Sequence, residues 1–392
     1  VYEVVSRREH LYREAGRSHK RVSSALVGRV REMERLRRAV TELESDAGGV
    51  ACVVGEAGIG KSRLLEELRR SDEVKKATWL EGRSLSIGSK LSYHPFADLL
   101  WAWAGIADGE DAATADGQLR GRLAELFGGD AEDLVSPLAT VMGFLPSLQR
   151  RRAPAGIGGD TTEKLIIRAL GLLLRRLADR QPLVVFLDDL HWADTSSVEL
   201  LGALLGLAAR YPILFLLAYR PEVSDSTLST LDEAMREAEI TGEEIRLAPL
   251  DRGAAELMLE SLFSGGSLPH GMRALIEERA SGNPFYIEQV VLSLIDSAHV
   301  EVRDGSLCAT DRPDAMVIPA TVEELLMARI DQLPLAARQV LHIASIVGRS
   351  SHPQILASVA DAPELESQLE TLHAAQLLTR WERAEESVWE FR

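Results

Sequence analysis

Residues 55–62, GEAGIGKS, carry the spacing G-x-x-x-x-G-K-[ST] in full. Glycines at Gly55, Gly58 and Gly60 let the backbone wrap closely around phosphate oxygens. The N–H groups of Gly55, Glu56, Ala57, Gly58, Ile59 and Gly60, and those of Lys61, Ser62 and Arg63 at the start of the next helix, then point inward. Lys61 would place a cation on the outer phosphates, and Ser62 would offer its hydroxyl to Mg²⁺. The flanks agree: VACVV reads as a strand before the loop and RLLEELRR as a helix after it.

A second constellation is LVVFLDDLHWAD, 183–194, an apolar run ending in adjacent carboxylates. Asp188 is expected at the C-terminal end of a parallel strand neighbouring the phosphate-loop strand. There it can hold Mg²⁺ directly or through water, as the partner of Ser62. Asp189 could orient or deprotonate an attacking water, or could only position the metal or the chain; the residues leave both readings open. Arg220 closes ILFLLAYR, where its guanidinium would sit near the outermost phosphate, unless it forms a surface ion pair with Glu222. Around the acid pair, His191 reads as a hydrogen-bonded loop residue or a sensor of the γ-phosphate, Trp192 as a packing anchor, and Asp194 with Thr195 as a helix N-cap. In SGNPFYIEQVV, Gly282 and Pro284 make a rigid turn before an apolar helix.

Five apolar runs must position these groups: the one before the loop, ATWLEG, LVVFLD, ILFLLAYR and EIRLAPL. Helical patterns separate them, which predicts a parallel α/β sheet covered on both faces. Residues 164–180 repeat apolar positions at helical spacing, and 90–160 alternate helical patches with Pro and Gly, as in a helical insertion. After Leu250 the strands stop. Helices run on to LLTRWE and SVWEF, a two-strand ribbon that suggests a winged helix. The expected division is a linker at 1–25, a nucleotide-binding domain at 26–250, a helical lid at 251–315 and a winged helix at 316–392.

The composition narrows the partners. The chain has 392 residues, enough for more than one core, with 46% hydrophobic and 27% charged residues, as in a globular protein. No apolar run approaches the ~20 residues that cross a bilayer, and the N-terminus lacks a signal-peptide core, so a cytoplasmic protein is expected. The two cysteines, Cys52 and Cys308, have no metal or disulfide spacing. A net charge of −16 argues against a general grip on nucleic acid. The chain starts at Val1 and ends just after SVWEF, which reads as a piece of a longer protein.

LVGRVREMERL, GEAGIGKS, LVVFLDDLHWAD, LAYRPE and GNPFYIEQV occur in the order seen in STAND-class signalling ATPases, a branch of the AAA+ superfamily. Over about 26–392 the chain resembles these proteins. It is most similar to the modules that follow class III adenylate cyclase domains and to those of maltose-regulator-type activators. The resemblance implies a P-loop domain, a lid and a winged helix closing over ADP. Val27, Gly28 and Arg29 match the N-terminal motif near adenine, and Lys61 and Ser62 match the phosphate and Mg²⁺ residues. Asp188 and Asp189 match the acidic pair, Arg220 the residue closing the fourth strand, and Pro284 the lid proline beside the base. VYEVV resembles the end of a cyclase catalytic domain. An upstream output domain, a C-terminal sensor beyond these residues and ATP-dependent self-association are further implications.

The leading expectation is an ATP/ADP switch with slow hydrolysis. The alternative is a DNA-acting ATPase of the origin-recognition or loader type that reads DNA through the winged helix. Against it, PELESQLETLHAAQLL carries Glu364, Glu366 and Glu370 and no Lys or Arg. A scaffold holding a permanent structural nucleotide is a third reading.

Overall fold

The computed structural model describes residues 13–14, 26–45, 47–84, 92–106, 110–129, 131–144, 159–221, 225–263, 270–297, 299–303, 306–309, 319, 321–348, 350–351, 353–359, 364–383 and 386–391. VYEVV, residues 150–158 and Glu222, the suggested ion-pair partner of Arg220, lie outside them. The chain divides into two compact units, residues 24–261 with 270–287, and residues 1–23, 262–269 and 288–392.

The first unit is built on a parallel sheet of β1 (Gly49–Val54), β2 (Thr78–Arg83), β3 (Leu183–Asp188), β4 (Ile213–Tyr219) and β5 (Glu243–Arg246), in the order β2-β3-β4-β1-β5. Successive side chains of a strand point to opposite faces, so a strand covered on both sides must be apolar throughout. Leu183, Val185 and Leu187 of β3 enter one core together with Phe215 and Leu217 of β4. Val184 and Phe186 enter the other with Ala51 and Val53 of β1. That double burial explains why these strands read as unbroken apolar runs rather than alternating ones. Complete burial of such a side chain stabilises by about 1.5–3 kcal/mol.

Helix α1 (Val30–Glu42) covers the second face with Met33, Leu36 and Val40, and α2 (Lys61–Arg69) adds Leu64, Leu65 and Leu68. The opposite face is covered from the segment expected to be a helical insertion, by α3 (His94–Ala104), α4 (Ala112–Phe127) and α5 (Glu132–Val141). α6 (Gly159–Ala178) and α7 (Thr195–Leu205) pack there too, and α8 (Asp225–Glu237) contributes Leu231. Asp194 caps α7, its carboxylate accepting from the Ser197 N–H at 3.0 Å, as its place before Thr195 predicts. α9 (Arg252–Leu262) and α10 (His270–Ala280) follow, and α11 (Pro284–Asp296) runs from this unit into the second.

Two sequence expectations need correction. Asp188 does not lie on the strand beside the phosphate-loop strand: β4 intervenes, hydrogen-bonded to β1 on one side and β3 on the other. Nor do strands stop at Leu250 until the final ribbon. β6 (Val300–Arg303) pairs antiparallel with β7 (Ser306–Ala309), Arg303 opposite Ser306. The Asp-Gly between them is a strong hairpin signal in the sequence.

The second unit continues with α12 (Val322–Asp331), α13 (Leu335–Val347), β8 (Ser350–Ser351), α14 (Pro353–Val359), α15 (Leu365–Ala374), β9 (Leu378–Arg383) and β10 (Glu386–Phe391). β10 lies between β9 and β8, and the two-residue strand Arg13–Glu14 flanks β9. Val340, Ala344, Leu369, Leu372 and Trp389 form its core. Arg329, 3% exposed, is held there by Asp296 at 2.8 Å and by Gln289 at 2.6 Å. Among the described residues no helix is long and apolar enough to cross a membrane.

Candidate phosphate-binding site

The chain crosses over at the carboxyl ends of the strands, and an open parallel sheet offers its crevice there. Residues 55–60 leave β1 and wrap into the start of α2, whose first residue is Lys61. Ile59 is buried in the core beneath, while Glu56, Ala57 and Gly58 lie exposed on top. Gly58 has φ +73°, and a Cβ there would stand 2.9 Å from the Phe285 Cβ. Only glycine fits both the backbone and the space.

Every carbonyl from Gly55 to Ile59 accepts a hydrogen bond. Lys61 Nζ donates to Gly55 O at 2.6 Å and to Glu56 O at 3.0 Å. Asn283 Nδ2 donates to Ala57 O at 3.1 Å, and the Phe285 N–H to Gly58 O at 3.3 Å. Arg29, 6% exposed, donates from one guanidinium nitrogen to Ile59 O at 3.3 Å and to Ala248 O at 2.6 Å, beyond the end of β5.

Arg29 is the N-cap residue of α1, with Val27 and Gly28 just before it. Gly28 packs against Leu250 and Ala254. Ser62 is exposed on the first turn of α2, and Arg63 turns towards its own helix, 3.9 Å from Glu66 and 3.8 Å from Glu67.

Asp188 ends β3 and is 1% exposed. The Ser62 hydroxyl donates to its Oδ2 at 3.5 Å, although β3 and β1 are not adjacent. Its other oxygen accepts the Asp189 N–H at 2.8 Å. Arg83 ends β2, and its Nε lies 3.7 Å from Asp188 Oδ2. Asp189 sits in the left-handed region at φ 55°, ψ 35°, with its carbonyl accepting from the Trp192 N–H at 2.9 Å. A non-glycine residue held there costs about 1–3 kcal/mol, strain that concentrates at functional sites. Trp192 is 41% exposed, which corrects the packing-anchor expectation; the apolar residue this turn buries is Leu190.

Burial pulls the Lys61 ammonium below the ordinary lysine range. Asp188 opposes that shift, Arg220 adds to it, and Asp189 and Glu56 oppose it more weakly. Lys61, both acids and Arg220, which immediately follows β4, therefore share one electrostatic neighbourhood.

Pro284 is the first residue of α11. Its neighbours Asn283 and Phe285 make the loop contacts, and Gly282 anchors the turn. Gly282 O accepts the Leu250 N–H at 2.8 Å, and a Cβ on Gly282 would fall 2.3 Å from Leu250 O. The structure thus joins the phosphate loop, Arg29, both acids, Arg220 and the GNPF turn within one unit. Asn283, Phe285 and Arg83 went unnoticed in the sequence. The signals were a side-chain donor beside the singled-out proline and a strand-end arginine like Arg220.

Residues 25–216 match the family model described as an AAA ATPase domain. An uncharacterized protein of Rhizobium meliloti (strain 1021) is 26% identical over 336 residues, covering 84% of this chain; the chain spans 30% of that relative's length. A solved STAND protein with a tetratricopeptide repeat sensor from Pyrococcus horikoshii aligns over 94% of this chain and 42% of its own, at 15% identity and a TM-score of 0.49. The Aeropyrum pernix ORC2 protein aligns over 95% of this chain and 92% of its own, at 15% identity and a TM-score of 0.43. At these scores the structural likenesses weigh for neither a signalling nor a DNA-acting role. Residues 25–216 are thus similar to an AAA ATPase domain, and the fold beneath them is a five-stranded parallel sheet whose strand β1 leads into the phosphate loop.

Proposed function

We propose that the chain binds ATP and ADP and works as a regulatory ATPase, a slow-hydrolysing switch for an attached output domain such as a cyclase or transcription regulator. The observation that carries the nucleotide reading is the loop from Gly55 to Ile59, whose carbonyls are all engaged. The N–H groups of Gly55 and Ile59 are used within the fold, by Tyr219 O at 3.3 Å and Glu56 O at 3.4 Å. Those of Glu56, Ala57, Gly58 and Gly60 would meet the phosphates, with the Lys61 ammonium alongside. Lys61 would turn from Gly55 O and Glu56 O to the β- and γ-phosphates.

The Ser62–Asp188 contact at 3.5 Å suits these two residues to hold Mg²⁺. When bound, that ion neutralises charge developing on the phosphates. Among the described residues no group of three or more His, Cys, Asp and Glu could hold a metal. Phosphate oxygens and water would fill the rest of its coordination. In hydrolysis, water attacks the γ-phosphorus and the bond to the β-phosphate oxygen breaks; Asp189 orients that water and takes its proton. Arg220, sharing the field of Lys61, would distinguish ATP from ADP.

Beyond the sheet, we assign residues 251–315 to a lid and 316–392 to a winged helix. The order α13, β8, α14, α15, β9, β10 supports the latter. A switch needs different affinities of its two states for the two nucleotides, not rapid turnover. ATP-dependent self-association and a sensor beyond Arg392 complete the proposal.

A DNA-acting role is the second reading. α15 bears Glu366 and Glu370 and no Lys or Arg, which does not suit a phosphate backbone; an ion pair with Arg380 at 3.3 Å offsets only Glu370. Lys61→Ala tests the site: it should weaken ATP and ADP binding about 100-fold, the scale of lost charge-assisted hydrogen bonds. Undiminished affinity in a folded variant would remove the assignment.

A further inference from the structure

Asn283 does two separate jobs with its two amide atoms. Oδ1 accepts the N–H groups of Phe285 at 3.0 Å and Tyr286 at 3.3 Å, satisfying donors that the first turn of α11 leaves without a helical partner. Pro284 at the first helical position removes a further donor that would need one. Nδ2 points the other way and donates to Ala57 O at 3.1 Å. Arg29 makes a corresponding link from the far side of the loop, joining Ile59 O to Ala248 O.

A peptide unit has its N–H and its C=O on opposite sides. Fixing the carbonyl of Ala57 outward therefore fixes the N–H of Gly58 inward, and fixing that of Ile59 aims the N–H of Gly60. Two of the loop's fastenings come from Lys61, which must release them to meet a phosphate. Those made by Asn283, Phe285 and Arg29 need not move.

We propose that Asn283 and Arg29 are positioning residues that hold the phosphate loop in its binding shape by securing its carbonyls from outside, so that both set affinity for the phosphate chain and neither reads the base. This inference rests on the nucleotide site proposed above. It assigns to Arg29 a role different from the one near adenine that the family resemblance implies. It also makes the GNPF turn a fastening of the loop, since the residues on either side of Pro284 make the contacts.

Asn283→Ser separates the two jobs. A serine keeps the helix cap but cannot reach Ala57 O. Binding of ATP, GTP and inorganic tripolyphosphate is measured by displacement of a fluorescent ADP analogue, with the thermal midpoint taken in the absence of ligand. The expected result is that all three ligands weaken by the same factor, about tenfold, as for one lost hydrogen bond in a prearranged site. The midpoint should stay close to that of the unaltered protein. Arg29→Lys, which keeps the charge and loses the fork, should also weaken all three equally.

A changed ATP-to-GTP ratio with unchanged tripolyphosphate affinity would overturn the proposal in favour of base contact. So would full affinity for all three ligands in both variants. If the unaltered protein binds none of the three, the nucleotide site itself falls, a failure distinct from loss of the positioning role alone.

Discussion

The phosphate loop and the acidic turn share the electrostatic neighbourhood of Lys61 but are held by different kinds of partner. Loop carbonyls from Gly55 to Ile59 are fastened by Lys61, Asn283, Phe285 and Arg29, residues scattered across the sequence. The acidic turn is met by main-chain donors instead: the Asp188 carboxylate accepts the Asp189 N–H, the Asp188 carbonyl accepts the Ser84 N–H at 3.0 Å, and Asp189 O accepts from Trp192. A loop that must present N–H donors in one geometry is best fixed through its unused carbonyls. A carboxylate that must exchange partners is better met by long, replaceable contacts, such as Ser62 at 3.5 Å and Arg83 at 3.7 Å. Fixed loop carbonyls beside replaceable acid contacts agree with the slow switch proposed above.

The sharpest break in this comparison comes from the two acids. Asp188→Asn should remove Mg²⁺-dependent hydrolysis, about 100-fold or more, by taking away a charge that Mg²⁺ needs; phosphate release at saturating ATP measures it. Asp189→Asn should lower turnover by about tenfold to 100-fold while leaving ATP affinity within a factor of about two. Unchanged turnover would make Asp189 a purely structural residue.

The smallest effect concerns β1, the strand beneath the loop. Burial pushes the Cys52 thiol up to about 11 from 9.0, against a hydrogen bond with Tyr219 that lowers it. Because the folded-state value is raised, the contribution is complete below about pH 9 and is lost as pH rises towards 11. Cys52→Val should flatten that alkaline decline by up to about 2 kcal/mol in denaturant titrations at pH 8 and 10.5. Since Tyr219 is also raised by burial, some decline should persist. An identical decline in the variant would show that Cys52 does not carry it.

The strands were legible because β1, β3 and β4 are buried on both faces and must be apolar along their length. GEAGIGKS was legible because close approach to phosphate admits few residue types at fixed spacing. The order of the strands was not, since a local pattern does not reveal that β4 enters between β1 and β3. β6 and β7 escaped because four-residue strands are short against the helical background, although Asp-Gly marked their turn. Asn283 and Arg29 as fasteners could not be read either. Their partners are main-chain carbonyls 226 and 30 residues away, which leave no trace in side-chain identity.

In a switch, ATP and ADP must hold the chain in different states. Sedimentation velocity with ADP, and then with a non-hydrolysable ATP analogue, tests it most directly, with Lys61→Ala as the binding-deficient control. A distinct, larger or more open species is expected with the ATP analogue and none in the control. Identical sedimentation with both nucleotides, each shown to be bound, would contradict it.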